Sequence, residues 1–138
     1  MARPRDFQKK RVYLAEWEVR VQDFRSLAET LEWADRVIRS EWWRRNVGRE
    51  VRFVPPHGNR RKRATCWLGR ICLPNQSWAF SRLVVLHELA HIVAGSWARH
   101  GERFTGAMLM LVEEFMGGGW MKRLKRAYDR NGVKYGIV

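Results

Sequence analysis

The strongest constraint on this chain is an apolar segment, residues 83–93, that carries two histidines and a glutamate. Burying polar or charged groups is costly unless they are paired or bind a metal, so His87, Glu88 and His91 need partners in a folded core. Residues four apart on a helix lie on one face, with β-carbons about 5–6 Å apart. The pattern predicts a helix over residues 78–94 that turns both imidazoles to the same side.

This spacing is typical of a metal site. Two imidazoles one turn apart can converge on one ion at Zn–N distances of about 2.0–2.1 Å. Glu88 is rotated by about 100° from His87 around the helix axis, so it is placed to reach a water at the metal's open position. The motif predicts a zinc ion (Zn²⁺) held by His87 and His91, with Glu88 as the catalytic general base.

A third ligand is expected, because catalytic zinc sites usually combine three protein ligands with one open position. His100 is the leading candidate, since it follows His91 by nine residues and comes after a turn that can fold back across the end of the helix. Gly101 beside it would ease a close approach to the next helix. Glu113 and Glu114, on that next helix, are the alternatives.

At this point the sequence resembles the SprT-like zincins, whose active helix carries HExxH and whose third histidine opens an HGxxF/W motif. The matching residues here are His87, His91 and His100, followed by Gly101 and Phe104. The resemblance implies a zinc metallopeptidase in which the three histidines hold the ion. Larger SprT-like proteins often add a four-cysteine zinc ribbon, and nothing after residue 72 here can form one.

A second resemblance extends over most of the chain. It is to a small family of proteins from actinobacteria and their phages that are classed as metallohydrolases. The residues that carry it are Arg5-Asp6-Phe7-Gln8, Arg11-Val12-Tyr13, Trp42-Trp43 and Leu83-Val84-Val85-Leu86. This resemblance implies a minimal zincin in which a few strands pack on the active helix.

The charge of the chain favours polyanionic partners. It has 27 Lys and Arg against 14 Asp and Glu, a net charge of +13, which favours contact with nucleic acid. The candidate contact residues lie in a basic loop and in the last helix: Arg60, Arg61, Lys62, Arg63, Lys122, Arg123, Lys125 and Arg126. Three functions therefore remain open: a zinc metallohydrolase acting on a protein or peptide, a nucleic-acid-binding protein with a structural zinc, and a DNA-associated peptidase.

Length and composition predict one domain, residues 1–138, because domains of about 100–200 residues can bury a full core. Cys66 and Cys72 are too few for a four-cysteine zinc site or a disulfide framework, and two free thiols are expected. No apolar run approaches the ~20 residues of a membrane helix, and residues 1–10 form a basic arm that leads into no signal core. We expect a cytoplasmic protein with no membrane partner.

The expected fold class is α+β: N-terminal strands and a helix, a small antiparallel sheet packed on the active helix, and C-terminal helices. Alternating apolar residues predict a strand over 13–21, and a capping box at Ser26 predicts a helix that ends near residue 46. The remaining predicted elements are a strand over 50–54, a hairpin of 64–68 with 71–73, and helices over 78–94, 102–116 and 120–131.

The hairpin and the C-terminal region carry two further expectations. With the turn centred on Gly69, Cys66 lies opposite Cys72, and strand 71–73 could offer an edge to an extended peptide. A peptidase also needs a donor that stabilises the oxyanion. The candidate donors near the end of the chain are Tyr128, Arg130 and Tyr135.

Overall fold

A computed structural model describes residues 6–55 and 63–136. Within these ranges the chain forms six α-helices and a three-stranded sheet, which confirms a mixed α+β fold. The elements are α1 (Lys9–Val19), α2 (Leu27–Ile38), α3 (Glu41–Asn46), β1 (Arg52–Val54), β2 (Thr65–Trp67), β3 (Arg70–Cys72), α4 (Arg82–Ala94), α5 (Glu102–Phe115) and α6 (Gly118–Arg130). Short 3-10 turns, Ser77–Ala79 and Ser96–Ala98, precede α4 and α5.

The N-terminal region is helical, so the strand predicted over residues 13–21 is wrong. Val12, Ala15 and Glu16 are the buried residues of α1, and their spacing of three to four is that of one helix face. Of the apolar residues that suggested alternation, Tyr13, Trp17 and Val21 are exposed, whereas Ala15 is buried. The chain therefore starts with three helices before its first strand.

The chain groups into two compact units, one joining the residues up to Arg20 to those from Val93 onward, the other running from Val21 to Ile92. The division falls inside α4. The single domain predicted for residues 1–138 stays a prediction.

In the first unit, α6 packs against both α1 and α5. Its centre contains Phe104, Leu124 and Tyr128, all fully buried. The Tyr128 hydroxyl donates to Glu16 Oε2 at 3.2 Å. Burial, followed by the negative charge of Glu16 and this hydrogen bond, raises the pKa of Tyr128 well above its usual value. Tyr128 thus gives the buried Glu16 carboxylate of α1 a hydrogen-bond donor.

In the second unit, serine caps determine where the first helices begin. Ser26 Oγ accepts a hydrogen bond from the backbone N–H of Glu29, so the predicted start of α2 is confirmed. The single helix expected to reach residue 46 is divided, because Ser40 has extended backbone and caps α3 through the N–H of Trp43. A second N-cap residue inside the predicted helix accounts for the break.

The sheet is mixed rather than antiparallel, with strand order β1-β3-β2. β3 pairs in parallel with β1 and antiparallel with β2, so it is the central strand and cannot be the open edge that the sequence suggested. The hairpin turn has two residues, Leu68 and Gly69, both with positive φ, as a type I′ turn requires. Cys66 is therefore paired with Ile71 instead of Cys72 in the strand register, and neither cysteine forms a disulfide bond.

The helix α4 is apolar on nearly all sides, as expected for a helix that is buried all round. It starts later than predicted, at Arg82, where the backbone N–H donates to Asp23 Oδ2 at 2.8 Å. The Asp23 carboxylate also pairs with the Arg82 guanidinium at 3.1 Å. Gly95, with φ of 89°, follows the last helical residue. No helix in the described ranges is long and apolar enough to cross a membrane.

Candidate metal centre

Two of the predicted ligands, His87 and His91, lie one turn apart on α4. Their ring centroids are 5.1 Å apart and the rings meet edge to face. His87 is buried and His91 is half-buried. The regular helix thus places two imidazoles side by side in apolar surroundings, as the sequence predicts.

The third predicted ligand, His100, joins these two histidines. The nearest ligand atoms of His87, His91 and His100 all lie within 4.8 Å of one another. His100 itself is buried. The competing candidates, Glu113 and Glu114, are exposed on α5 and are not members of the group.

The donor set fits a transition-metal ion. Imidazole nitrogen suits zinc as well as copper, iron and nickel, and three histidines form one of the known catalytic zinc sets. The three rings are largely removed from water, and their nitrogens are close enough to share one ion. Two buried histidines and one half-buried histidine that together can bind a metal ion are therefore present.

Glu88 lies beside the first ligand. Its side chain is buried, and Oε2 lies 4.0 Å from His87 Nε2. Burial, and secondarily the negative charge of Glu88, raises the pKa of the Cys66 thiol to about 12. Cys66 on β2 is therefore a neutral thiol near neutral pH. The charge of the Glu88 carboxylate on α4 reaches this thiol of β2.

His100 is surrounded by residues of the N-terminal segment. Its Nδ1 lies 2.7 Å from Asp6 Oδ2, and its backbone N–H donates to Asp6 Oδ1 at 3.2 Å. Gln8 Nε2 donates to the backbone oxygen of His100 at 2.7 Å. The rings of Tyr13 and Phe104 lie 5.2 Å and 4.9 Å from the imidazole, centroid to centroid.

Sequence reasoning missed the parts played by Asp6, Gln8 and Tyr13. Residues 1–10 were expected to be a basic arm, yet Asp6 and Gln8 are half-buried and α1 begins at Lys9. Two signals were available: the acidic and amide pair within Asp6-Phe7-Gln8, in an otherwise basic stretch, and the second resemblance, whose residues include Asp6, Gln8 and Tyr13. Residues 1–5 lie outside the described ranges.

The expected oxyanion donors have other partners. Tyr128 is buried against Glu16, and the Tyr135 hydroxyl donates to Asp129 Oδ1 at 3.0 Å. This hydrogen bond is the main reason that the pKa of Tyr135 is raised. Arg130 Nε pairs with Glu18 at 3.3 Å. A role in oxyanion binding for any of the three stays a prediction.

The basic residues of the last helix face solvent. Lys122, Arg123, Lys125 and Arg126 are all exposed on α6, and the Arg123 guanidinium lies 4.9 Å from the centre of the Trp120 ring. In the predicted basic loop Arg63 is exposed, whereas Arg60, Arg61 and Lys62 lie outside the described residues. Trp67 on β2 is exposed, whereas Trp43 on α3 is buried.

A scan against protein-family models and searches of curated proteins and of solved structures each found no match. The resemblances to SprT-like zincins and to the actinobacterial and phage metallohydrolases accordingly rest on the residues quoted for them.

Proposed function

We propose that this protein is a zinc-dependent metallohydrolase, a peptidase with a minimal zincin-like fold. His87, His91 and His100 would hold the ion, and Glu88 would be the general base. The observation that carries the proposal is the clustering of three largely buried imidazoles beside one buried carboxylate. Such a group is costly to bury unless it binds a metal or is otherwise paired.

A catalytic site explains the composition of this cluster better than a structural one. Structural zinc sites are closed by four protein ligands, whereas catalytic sites leave one position open. The cluster found within residues 6–55 and 63–136 has three members, and Glu88 is adjacent to it without being one of them. A closed structural site has no use for that carboxylate.

Glu88 is positioned for proton transfer. A bound zinc ion supplies Lewis acidity, which polarises a carbonyl and lowers the pKa of a water molecule. The Glu88 carboxylate would accept a proton from the attacking water while the water oxygen bonds to the carbonyl carbon. It would then deliver that proton to the amide nitrogen as the C–N bond breaks. Burial of Glu88 next to His87 keeps this carboxylate at the site.

The deciding experiment compares Glu88→Gln with Glu113→Gln, which changes an exposed glutamate on α5. Bound zinc is measured by elemental analysis, and hydrolysis is followed with denatured, fluorescently labelled casein. We expect Glu88→Gln to retain zinc and to lose about 10²–10⁴-fold in rate, with Glu113→Gln unchanged.

Wild-type rates in Glu88→Gln would remove Glu88 from the mechanism. Loss of zinc on Glu88→Gln together with retention on His100→Ala would overturn the ligand assignment. If the zinc-loaded wild-type protein cleaves no unfolded protein, the peptidase proposal is wrong.

A second candidate function, binding of nucleic acid, is favoured by the exposed cations of α6. Four Lys or Arg side chains face solvent within five residues, and Trp120 lies beneath one of them. Such a surface attracts phosphates, and an aromatic ring can add stacking with bases. The two functions are compatible in a DNA-associated peptidase.

This candidate is tested by changing the four α6 cations to glutamine: Lys122, Arg123, Lys125 and Arg126. The matched control changes four arginines that are exposed but paired with neighbouring carboxylates: Arg39, Arg44, Arg45 and Arg52. We expect the α6 variant to bind DNA more weakly and its salt dependence, as log K against log salt, to flatten by about 3–4 units. Equal binding by both variants would rule out α6. Faster casein cleavage with DNA present would support a DNA-associated peptidase.

A further inference from the structure

One carboxylate, that of Asp6, holds His100 at two points. Oδ1 accepts the backbone N–H of His100 at 3.2 Å, and Oδ2 lies 2.7 Å from the ring nitrogen Nδ1. Asp6 precedes His100 by 94 residues, so this contact is made by the fold and not by the local sequence.

We propose that Asp6 is a positioning residue that fixes the tautomer and orientation of His100, and that the metal centre requires the N-terminal segment Asp6–Gln8. This inference rests on the proposed zinc site. An ionised carboxylate only accepts hydrogen bonds, so the hydrogen of the neutral imidazole resides on Nδ1. The lone pair of Nε2 is then left for a metal ion. Carboxylates that orient histidine ligands in this way raise their basicity as well.

The loop that carries His100 needs such support. Arg99, the residue before it, has φ of 51° and ψ of −121°, a conformation that non-glycine residues rarely adopt. Strained residues of this kind persist when the surrounding contacts hold them in place. The hydrogen bond from the backbone of His100 to Asp6 is made at the next residue along the chain. The same carboxylate therefore stabilises both the strained loop and the ring that the loop presents.

Gln8 completes the attachment. Its amide nitrogen donates to the backbone oxygens of His100 and Lys134, and its amide oxygen accepts the backbone N–H of Lys134 at 3.0 Å. The backbone N–H, the backbone oxygen and the Nδ1 atom of His100 are thus all bonded to Asp6 or Gln8. By contrast, His87 and His91 belong to one continuous helix.

The first test is spectroscopic and needs neither zinc nor activity. Long-range ¹H–¹⁵N correlation of the imidazoles in the metal-free wild-type protein, above the pH at which histidines are charged, reports the tautomer of each ring. We expect His100 to carry its hydrogen on Nδ1. Asp6→Asn replaces one acceptor oxygen with a donor, so the side chain can accept from only one of the two N–H groups of His100. We therefore expect the ring to lose its single Nδ1–H form.

The second test measures zinc affinity by competition with a chromophoric chelator. We expect Asp6→Asn to bind zinc about 10–100-fold more weakly than wild type. The control, Asp35→Asn, alters a half-exposed carboxylate paired with Arg39 and should leave affinity unchanged. Gln8→Ala, which keeps the Asp6 carboxylate, should weaken zinc binding less than Asp6→Asn. Circular dichroism and thermal unfolding of the metal-free proteins check that each variant is folded.

A hydrogen on Nε2 of His100 in the wild-type protein would overturn the proposal even if Asp6→Asn does not fold. Zinc affinity of Asp6→Asn within twofold of wild type would overturn it as well. A zinc-loaded protein without peptidase activity would contradict the proposed function alone. The tautomer of His100 and the zinc affinity of Asp6→Asn would still show whether Asp6 positions His100.

Discussion

His87 and His91 are presented by a regular helix, whereas His100 is presented by a strained loop. The helix α4 lies in apolar surroundings and sets the spacing of its two histidines through backbone geometry alone. The His100 loop contains Arg99 at positive φ and depends on polar contacts from a segment far away in sequence. The histidine cluster therefore combines one part that local sequence encodes with another that tertiary contacts must assemble.

The largest expected effect concerns the reactivity of Cys66, whose half-buried thiol on β2 is affected by Glu88 of α4. Because the pKa of Cys66 is raised from 9.0 to about 12, its thiolate fraction below pH 9 is about a thousandfold lower than in the unfolded chain. We expect iodoacetamide to alkylate Cys66 slower by that factor in the metal-free native protein than in denaturant at about pH 8. Mass spectrometry of the Cys66 peptide measures both rates.

The same shift has a stability consequence with a definite sign. As the pH rises above 9.0, the unfolded thiol loses its proton first, so the fold loses stability between that pH and about 12. Equal alkylation rates in the native and unfolded protein would contradict apolar surroundings on this side of the site.

The next largest effect concerns the packing of α4. Leu86 is fully buried, and its replacement by alanine should lower the free energy of unfolding by about 2–5 kcal/mol. Leu14, which is half-exposed on α1, serves as the control, and Leu14→Ala should cost less than about 0.5 kcal/mol. Urea denaturation of the metal-free proteins measures both. Similar losses of unfolding free energy in the two variants would show that the packing of α4 does not stabilise the fold more than an exposed residue does.

The smallest effect is expected in the His100 loop. Glycine adopts positive φ without strain, so Arg99→Gly should raise the free energy of unfolding by about 1 kcal/mol, after allowance for the greater freedom of glycine in the unfolded chain. The matched control, Arg126→Gly within α6, should lower it by about 1 kcal/mol. A loss of stability in Arg99→Gly comparable to that of the control would indicate that the loop is not strained.

The sequence could predict the parts of the molecule that depend on local periodicity and capping. The HExxH helix, the cap at Ser26, the hairpin and α5 all follow from short-range patterns, and the structure contains them. The third histidine was also predicted, because His100 follows His91 by nine residues, after a turn that can fold back across the end of the helix.

What the sequence could not predict depends on contacts between distant residues or on ambiguous patterns. The apolar residues around Tyr13 fit a strand as well as a helix. The helix is recognised only from the burial of Val12 and Glu16 together with Ala15, because a strand would not bury all three on one face. The central position of β3 depends on its parallel pairing with β1, which no local signal encodes. The contact of Asp6 with His100 spans nearly the whole chain.

The most direct test of the metal centre is a crystal structure of the zinc-loaded full chain, with an anomalous difference map at the zinc absorption edge. We predict one peak bonded to nitrogens of His87, His91 and His100 at about 2.0–2.1 Å, with solvent in the fourth position and Glu88 beside it. A fourth protein side chain on the ion, or a zinc peak away from these three histidines, would contradict the account.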